Sequence, residues 1–264
     1  MENKNYPKES IKTGWNKFKS QPWLWVGITL LVGIPNIIAD LLEPAEGVMP
    51  TAPELVGMFI LSIISFVFSA GLIKASLDAI DSGEKVEVSD LWSVFDRRLI
   101  SLIGSQILAF LIMLIPMALI FGGAFIGFIA AESFAIGLIM MLVGLAAAIY
   151  LAIRLVFVQY GVIDESMTAV PAIKHSFAVT KANLRSMVIL GLMIGVLNLL
   201  GALALMVGLL VTVPITAIAV AYYYRQISGA DMQLVTESVV NGTHVDDILA
   251  DIEPTDTDNT SVSG

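Results

Sequence analysis

The last apolar run of the chain, from Met187 to Tyr224, limits the folds that this sequence can adopt. About 20 apolar residues already span the ~30 Å hydrocarbon core of a bilayer, so a run of this length must cross twice. We expect its turn between Gly201 and Gly208. Because 57% of the residues are hydrophobic and only 14% are charged, the chain lacks the polar surface of a water-soluble globule. The sequence therefore predicts an integral membrane protein.

Earlier apolar runs predict four more crossings, so that the fold class is all-α with six transmembrane helices. These runs lie at 23–42, 55–77, 99–122 and 135–158. The predicted domains are an amphipathic cytoplasmic arm (1–21), a six-helix membrane domain (22–228) and an acidic, largely disordered cytoplasmic tail (229–264).

A polar segment with aromatic and basic residues precedes each pair of crossings, beginning near residues 8, 87 and 166. This pattern predicts three amphipathic interfacial helices and a threefold pseudo-repeat of surface helix plus two crossings. Aromatic rings favour the headgroup region, and basic residues favour an anionic leaflet. The alternative interpretation is that the aromatic rings pack onto the bundle as core. The candidate interfacial anchors are Trp15, Phe18, Trp92, Phe95, Lys174, Phe177, Lys181 and Arg185.

The distribution of charge predicts the orientation. All 14 Lys and Arg residues lie in the N-terminal arm, in 74–98, in 154–185 or at Arg225, whereas the loops between them carry only acidic charges. By the positive-inside rule, we expect a multi-pass protein of the inner (plasma) membrane with both termini in the cytoplasm. Eight acidic residues and no basic residue lie in the tail, for which we predict a protein partner. A basic nucleic-acid footprint is missing, so no nucleic-acid partner is expected.

Amide side chains within the predicted crossings are Asn36, Gln106 and Asn198. We expect them to form interhelical hydrogen bonds, with the lining of a polar path as the alternative. The chain has no cysteine, and its two histidines, His175 and His244, lie in different segments. The sequence thus predicts no catalytic, cofactor-binding or metal-binding residue, and we expect neither a cofactor nor enzymatic activity.

Several short motifs are similar to those of a known family. They are the run 154–163 followed by Asp164-Glu165, the run 172–177, the run 180–183, and 71–74 before the second surface segment. These residues resemble the YciC-like integral membrane proteins and the related membrane domain of glycerophosphoryl diester phosphodiesterases. The likeness covers most of residues 10–228 and implies an all-helical membrane domain without the catalytic half of the fused proteins.

The expected function follows from these features. We expect a non-enzymatic membrane protein that acts in an envelope or lipid context through its interfacial helices, anionic lipid headgroups and partners. A small transporter or channel is the alternative, and uptake of a specific substrate into liposomes would favour it.

Overall fold

The structure is a computed structural model that describes residues 6–44, 48–81, 98–130, 133–204 and 207–240. Over these ranges the chain is helical and contains no β-strand. The helices are α1 (Tyr6–Ser20), α2 (Pro22–Leu41), α3 (Ala52–Asp81), α4 (Arg98–Ala124), α5 (Phe134–Leu155), α6 (Val158–Asp164), α7 (Ala169–Leu203) and α8 (Leu209–Val240). A π-helical segment, Phe125–Ala130, directly follows α4.

Five helical stretches are long and apolar enough to cross a membrane, which makes this a multi-pass membrane protein. They are Pro22–Leu41, Ala52–Asp81, Leu99–Gly127, Phe134–Asp164 and Ala169–Leu203. Large apolar side chains such as Phe110 and Leu192 point outward from these stretches, and each is more than half exposed. An outward apolar belt of this extent fits a lipid environment.

The boundary between the N-terminal arm and the first crossing lies at Gln21. Here α1 ends at Ser20 and α2 begins at Pro22. Proline is well suited to the first helical position, because its missing N–H would have no partner there and its φ is already helical. The chain can therefore change direction between the two helices without losing a hydrogen bond within either one.

Glycines bring α4 and the π-helical segment close to the backbone of α5. A Cβ on Gly127 would overlap the backbone of Gly137, and a Cβ on Gly144 would overlap Ile120. Small residues at helix crossings let membrane helices approach closely, so that dispersion contacts replace the hydrophobic driving force that is absent in lipid. Gly127 and Gly144 thus serve the packing of these helices.

The core forms around the N-terminal half of α8. Ile215 and Ile218 lie in one cluster with side chains from three other helices, whose other buried members are Phe18, Trp25, Ile28, Leu72, Ala75 and Ala79. Farther along α8, Tyr223 and Tyr224 are fully buried. The helix is apolar only from Leu209 to Ala221, which explains why length and composition alone do not place it among the five membrane-crossing stretches.

One sequence prediction is corrected by α7. The third surface segment and the fifth crossing were expected as separate helices, but Ala169–Leu203 is one continuous helix of 35 residues. Pro171 lies in its first turn, where proline is tolerated, and no further Pro or Gly occurs before Gly191. The predicted turn between Gly201 and Gly208 is confirmed, since α7 ends at Leu203 and α8 begins at Leu209.

Some predicted features lie outside the described residues. These are most of the second surface segment, with Trp92 and Phe95, the loop at Glu132, and the acidic tail beyond Val240. The chain divides into two units, Met1–Tyr224 and Arg225–Gly264, and the contacts discussed below all lie within the first.

Candidate functional site

The candidate site is built where the helix of the fourth crossing is interrupted. Between α5 and α6, Val156 and Phe157 leave the regular helical pattern. Ser176 of α7 bridges this gap, because its hydroxyl donates to the Arg154 carbonyl oxygen (2.6 Å) and accepts from the Phe157 N–H (3.2 Å). The Ser176 side chain is fully buried. One hydroxyl thus satisfies two backbone groups that the break would otherwise leave unpaired.

Arg154 fixes the end of α5 to α7. Its Nη1 donates to the Phe177 carbonyl oxygen (2.7 Å) and to Thr180 Oγ1 (3.0 Å), and its Nε donates to Tyr150 Oη (3.1 Å). The guanidinium also lies over the Phe177 and Tyr150 rings, at 5.1 and 5.5 Å from their centroids. Cation–π contacts of this kind are more favourable when the cation is partly desolvated, as the half-buried Arg154 is.

Aromatic rings fill the space behind the break. Phe157 contacts Tyr160 edge-on, with centroids 5.5 Å apart, and approaches Tyr224 at 5.2 Å. Tyr223 stacks on Phe157 at 6.4 Å, and its hydroxyl forms a hydrogen bond of 2.5 Å with Ser186. Tyr223 therefore keeps a partner for its polar end while its ring packs.

A polar cluster of three side chains lies at the start of α7. The Tyr224 hydroxyl donates to Glu165 Oε1 (3.0 Å), and His175 Nε2 lies 3.3 Å from the same hydroxyl and 3.5 Å from Glu165. With the tyrosine proton on Glu165, the His175 tautomer that carries its proton on Nε2 can donate to the Tyr224 oxygen. Ser166, which follows Glu165, has a φ of 55°, a left-handed conformation that brings the chain round from α6 into α7.

The three predicted amides have different surroundings. Asn36 Nδ2 donates to Ser65 Oγ on α3 (2.7 Å), and Gln159 Nε2 of α6 donates to Gln106 Oε1 of α4 (3.2 Å). Both are hydrogen bonds between helices. Asn198 differs, because its buried Oδ1 has no hydrogen-bond partner among the described residues. The structure does not bring these amides together into one path.

The predicted anchors divide between core and surface. Phe18 is 6% exposed and belongs to the core cluster, whereas its stacking neighbour Trp15 is 46% exposed. The buried face of α1 instead follows Pro7, Ser10, Gly14 and Phe18. Core packing, the alternative interpretation, therefore holds for Phe18.

On α7 the predicted basic anchors are exposed. Lys174, Lys181 and Arg185 all face outward, and Phe177 is half-buried under the Arg154 guanidinium. Helical spacing places Lys174 and Lys181 one turn before and one turn after Phe177, on the same side of the helix.

Two cavities adjoin the break. An apolar groove of about 250 Å³ lies between α5, α7 and α8 and is lined by residues that include Ile153, Leu190 and Tyr223. A cleft of about 410 Å³ lies between α4, α5 and α6, and the Gln106–Gln159 pair supplies its polar groups. Within the described ranges, no group of three or more His, Asp or Glu side chains is placed to hold a metal ion.

Comparison with known proteins adds one family. A family model described as a domain of unknown function (DUF7847) matches residues 8–246, which include every helix that forms the site. The chain belongs to the DUF7847 family. No curated protein and no solved structure matches this DUF7847 chain. The likeness to the YciC-like proteins stays a prediction.

Sequence reasoning missed the residues that make the break. The sequence around Ser176 and Thr180 has no pattern that distinguishes a buried hydroxyl from an exposed one. The sequence around Glu165 likewise has none that distinguishes a hydrogen-bonded carboxylate from a helix cap. The Tyr222-Tyr223-Tyr224 run was the available indication, because consecutive tyrosines at the end of an apolar run need hydrogen-bond partners when they are buried.

Proposed function

We propose that this chain is a non-enzymatic, multi-pass protein of the inner (plasma) membrane that acts in a lipid or envelope context by binding the anionic cytoplasmic leaflet. The observation that carries the proposal is the charge of α7. Lys174, Lys181 and Arg185 are exposed, and no acidic residue occurs between Ala169 and Leu203. Each basic residue near an anionic leaflet contributes ~1 kcal/mol, so three provide about 3 kcal/mol of attraction.

The length of α7 supports this placement. A helix of 35 residues is ~52 Å long, which exceeds the ~30 Å hydrocarbon core. The part from Met187 to Leu203 is apolar apart from Asn198, so it can span the hydrocarbon. The N-terminal turns then stand among the headgroups, where the basic residues meet lipid phosphates.

The proposal includes six crossings with both termini in the cytoplasm, α8 being the sixth. The close approach of Gly201 and Gly208 supports α8 as the second helix of a helical hairpin with α7. The hairpins α2–α3, α4–α5 and α7–α8 are in keeping with a threefold pseudo-repeat.

Reporter fusions test this topology. Fusions after Glu46, Glu84, Glu132, Asp164 and Gly229 should read out, in, out, in, in. An external reading after Gly229 would contradict the sixth crossing.

A single-cysteine labelling experiment tests leaflet binding, because the chain has no native cysteine. Ala182→Cys places an exposed thiol on α7 beside Lys181. Its reaction with a water-soluble maleimide should be slower in liposomes that contain phosphatidylglycerol than in phosphatidylcholine alone. Replacing Lys174, Lys181 and Arg185 together by glutamine should remove that difference.

The matched control replaces Lys8, Lys12 and Lys17 on α1 by glutamine, which removes the same charge from another helix. This variant should keep the lipid dependence at Ala182→Cys. Equal labelling rates in both lipids for the chain that retains its basic residues would refute leaflet binding by α7.

A small transporter or channel is a second candidate, and the cleft with the Gln106–Gln159 pair favours it. Two amides at an otherwise apolar cleft could hydrogen-bond a polar solute. Flux of a panel of solutes into liposomes discriminates between the two functions. Substrate-dependent uptake that Gln106→Leu abolishes would support the transporter and argue against the first proposal.

A further inference from the structure

Arg154 has hydrogen-bonding capacity that the protein does not use. A guanidinium carries five N–H donors, and the contacts with Tyr150, Phe177 and Thr180 engage the Nε and Nη1 groups. Nη2 has no hydrogen-bond partner among the described residues, and it is not one of their buried unpaired atoms. This amino group is therefore held in place and accessible from outside.

The charge of Arg154 is also unbalanced. Within the described part of the chain, no carboxylate forms an ion pair with it. Charged side chains at membrane depth normally pair with one another or with backbone carbonyls. Arg154 has the carbonyl of Phe177 but no negative charge.

The surroundings of Arg154 point to an anion that comes from the bilayer. Lys174 and Lys181 lie one turn on either side of Phe177, over whose ring the guanidinium is held. Tyr150 and Val156 present exposed apolar surface on the same helix end, 44% and 41% exposed. A ligand that matches both the basic surface and the neighbouring apolar surface has a phosphate and an apolar chain.

We infer that Arg154 binds the phosphate of one anionic phospholipid of the cytoplasmic leaflet, with Lys174 and Lys181 supplying the surrounding positive charge. The planar guanidinium suits this task because it forms directed hydrogen bonds with phosphate oxygens. Tyr150, Phe177 and Thr180 hold it in position before the lipid arrives, which reduces the entropy lost on binding. The inference rests on the proposed function, because it requires this end of the bundle to face the anionic leaflet.

Native mass spectrometry of the full chain tests the site. The protein is purified in an uncharged detergent and titrated with phosphatidylglycerol or phosphatidylcholine of the same acyl composition. We expect one phosphatidylglycerol to be retained about tenfold or more tightly than phosphatidylcholine, whose choline cancels the phosphate charge. Arg154→Gln should weaken that lipid about tenfold or more, as expected for a charged hydrogen bond. Arg154→Lys should give an intermediate loss, since it keeps the charge but not the planar fork.

Lys12→Gln is the matched control, because it removes one exposed charge from α1 and should leave the retained lipid unchanged. The inference is overturned if folded Arg154→Gln retains phosphatidylglycerol as well as the unmodified chain does. It is also overturned if the unmodified chain shows no preference for phosphatidylglycerol, whether or not the variants fold. Displacement of the lipid by millimolar inorganic phosphate would show a free-anion site instead, and would also contradict the inference.

The two proposals can fail separately. Arg154→Gln leaves Lys174, Lys181 and Arg185 in place, so labelling of Ala182→Cys should stay lipid-dependent in that variant. Lipid-dependent labelling without a retained lipid would refute the Arg154 site alone, whereas loss of lipid dependence in the unmodified chain would refute leaflet binding.

Discussion

Replacing Ser176 by alanine should destabilise the bundle more than its single hydroxyl suggests. The hydroxyl serves both the Arg154 carbonyl oxygen and the Phe157 N–H, and the side chain is fully buried. Leaving one buried polar group unsatisfied costs about 1–3 kcal/mol. Two such groups at one break predict a loss of about 2–4 kcal/mol in the free energy of unfolding, after partial relaxation of the α5–α6 turn.

Ser105 provides the matched control. It is also fully buried, but its hydroxyl donates to the Leu102 carbonyl within α4, and such a carbonyl keeps its own helical hydrogen bond. Ser105→Ala should therefore cost less than about 1 kcal/mol. Unfolding by increasing mole fraction of sodium dodecyl sulfate, followed by circular dichroism, measures both variants. Equal losses for Ser176→Ala and Ser105→Ala would refute the bridging role of Ser176.

Three further substitutions test other contacts, each by the same unfolding measurement. Gly14→Ala should destabilise the protein by about 1–3 kcal/mol, because the added Cβ would overlap a backbone carbonyl of α8. Its control is Gly27→Ala, which should be neutral or stabilising because the space around Gly27 is open. Ser166→Val should cost about 1–2 kcal/mol, since a β-branched residue strongly disfavours the positive φ of 55° there; an unchanged midpoint would argue against that conformation. Tyr223→Phe removes a buried hydrogen bond with Ser186 and should cost about 1 kcal/mol; an unchanged stability would contradict a stabilising role for this contact.

The hydrophobic pattern was sufficient to predict the turn between α7 and α8 and the end of the N-terminal arm. Bilayer thickness fixes how many apolar residues make one crossing, so the run from Met187 to Tyr224 had to turn, and it does so between Leu203 and Leu209. The arm likewise ends where Pro22 begins the first crossing. These features depend on local composition, which a single sequence contains.

The site could not be predicted in the same way, because it depends on contacts between distant residues. Ser176 is 19 positions from Phe157, and Tyr224 is 59 positions from Glu165. Nothing local distinguishes these residues from a surface serine or a capping carboxylate. The prediction of a separate third surface helix was wrong for a different reason. A change from polar to apolar composition marks a change of environment, but a helix can continue through that change, as α7 does.

The continuity of α7 gives the protein a stiff rod that reaches from one side of the bilayer to the other. Because the helix is ~52 Å long, rotating its N-terminal end by about 5° around a pivot there would move the Leu203 end by about 4–5 Å. The far end contacts the start of α8, where Gly201 lies against Gly208 and the Thr212 side chain. If α7 stands in the bilayer as proposed, a force on its N-terminal turns beside Lys181 would displace its C-terminal end.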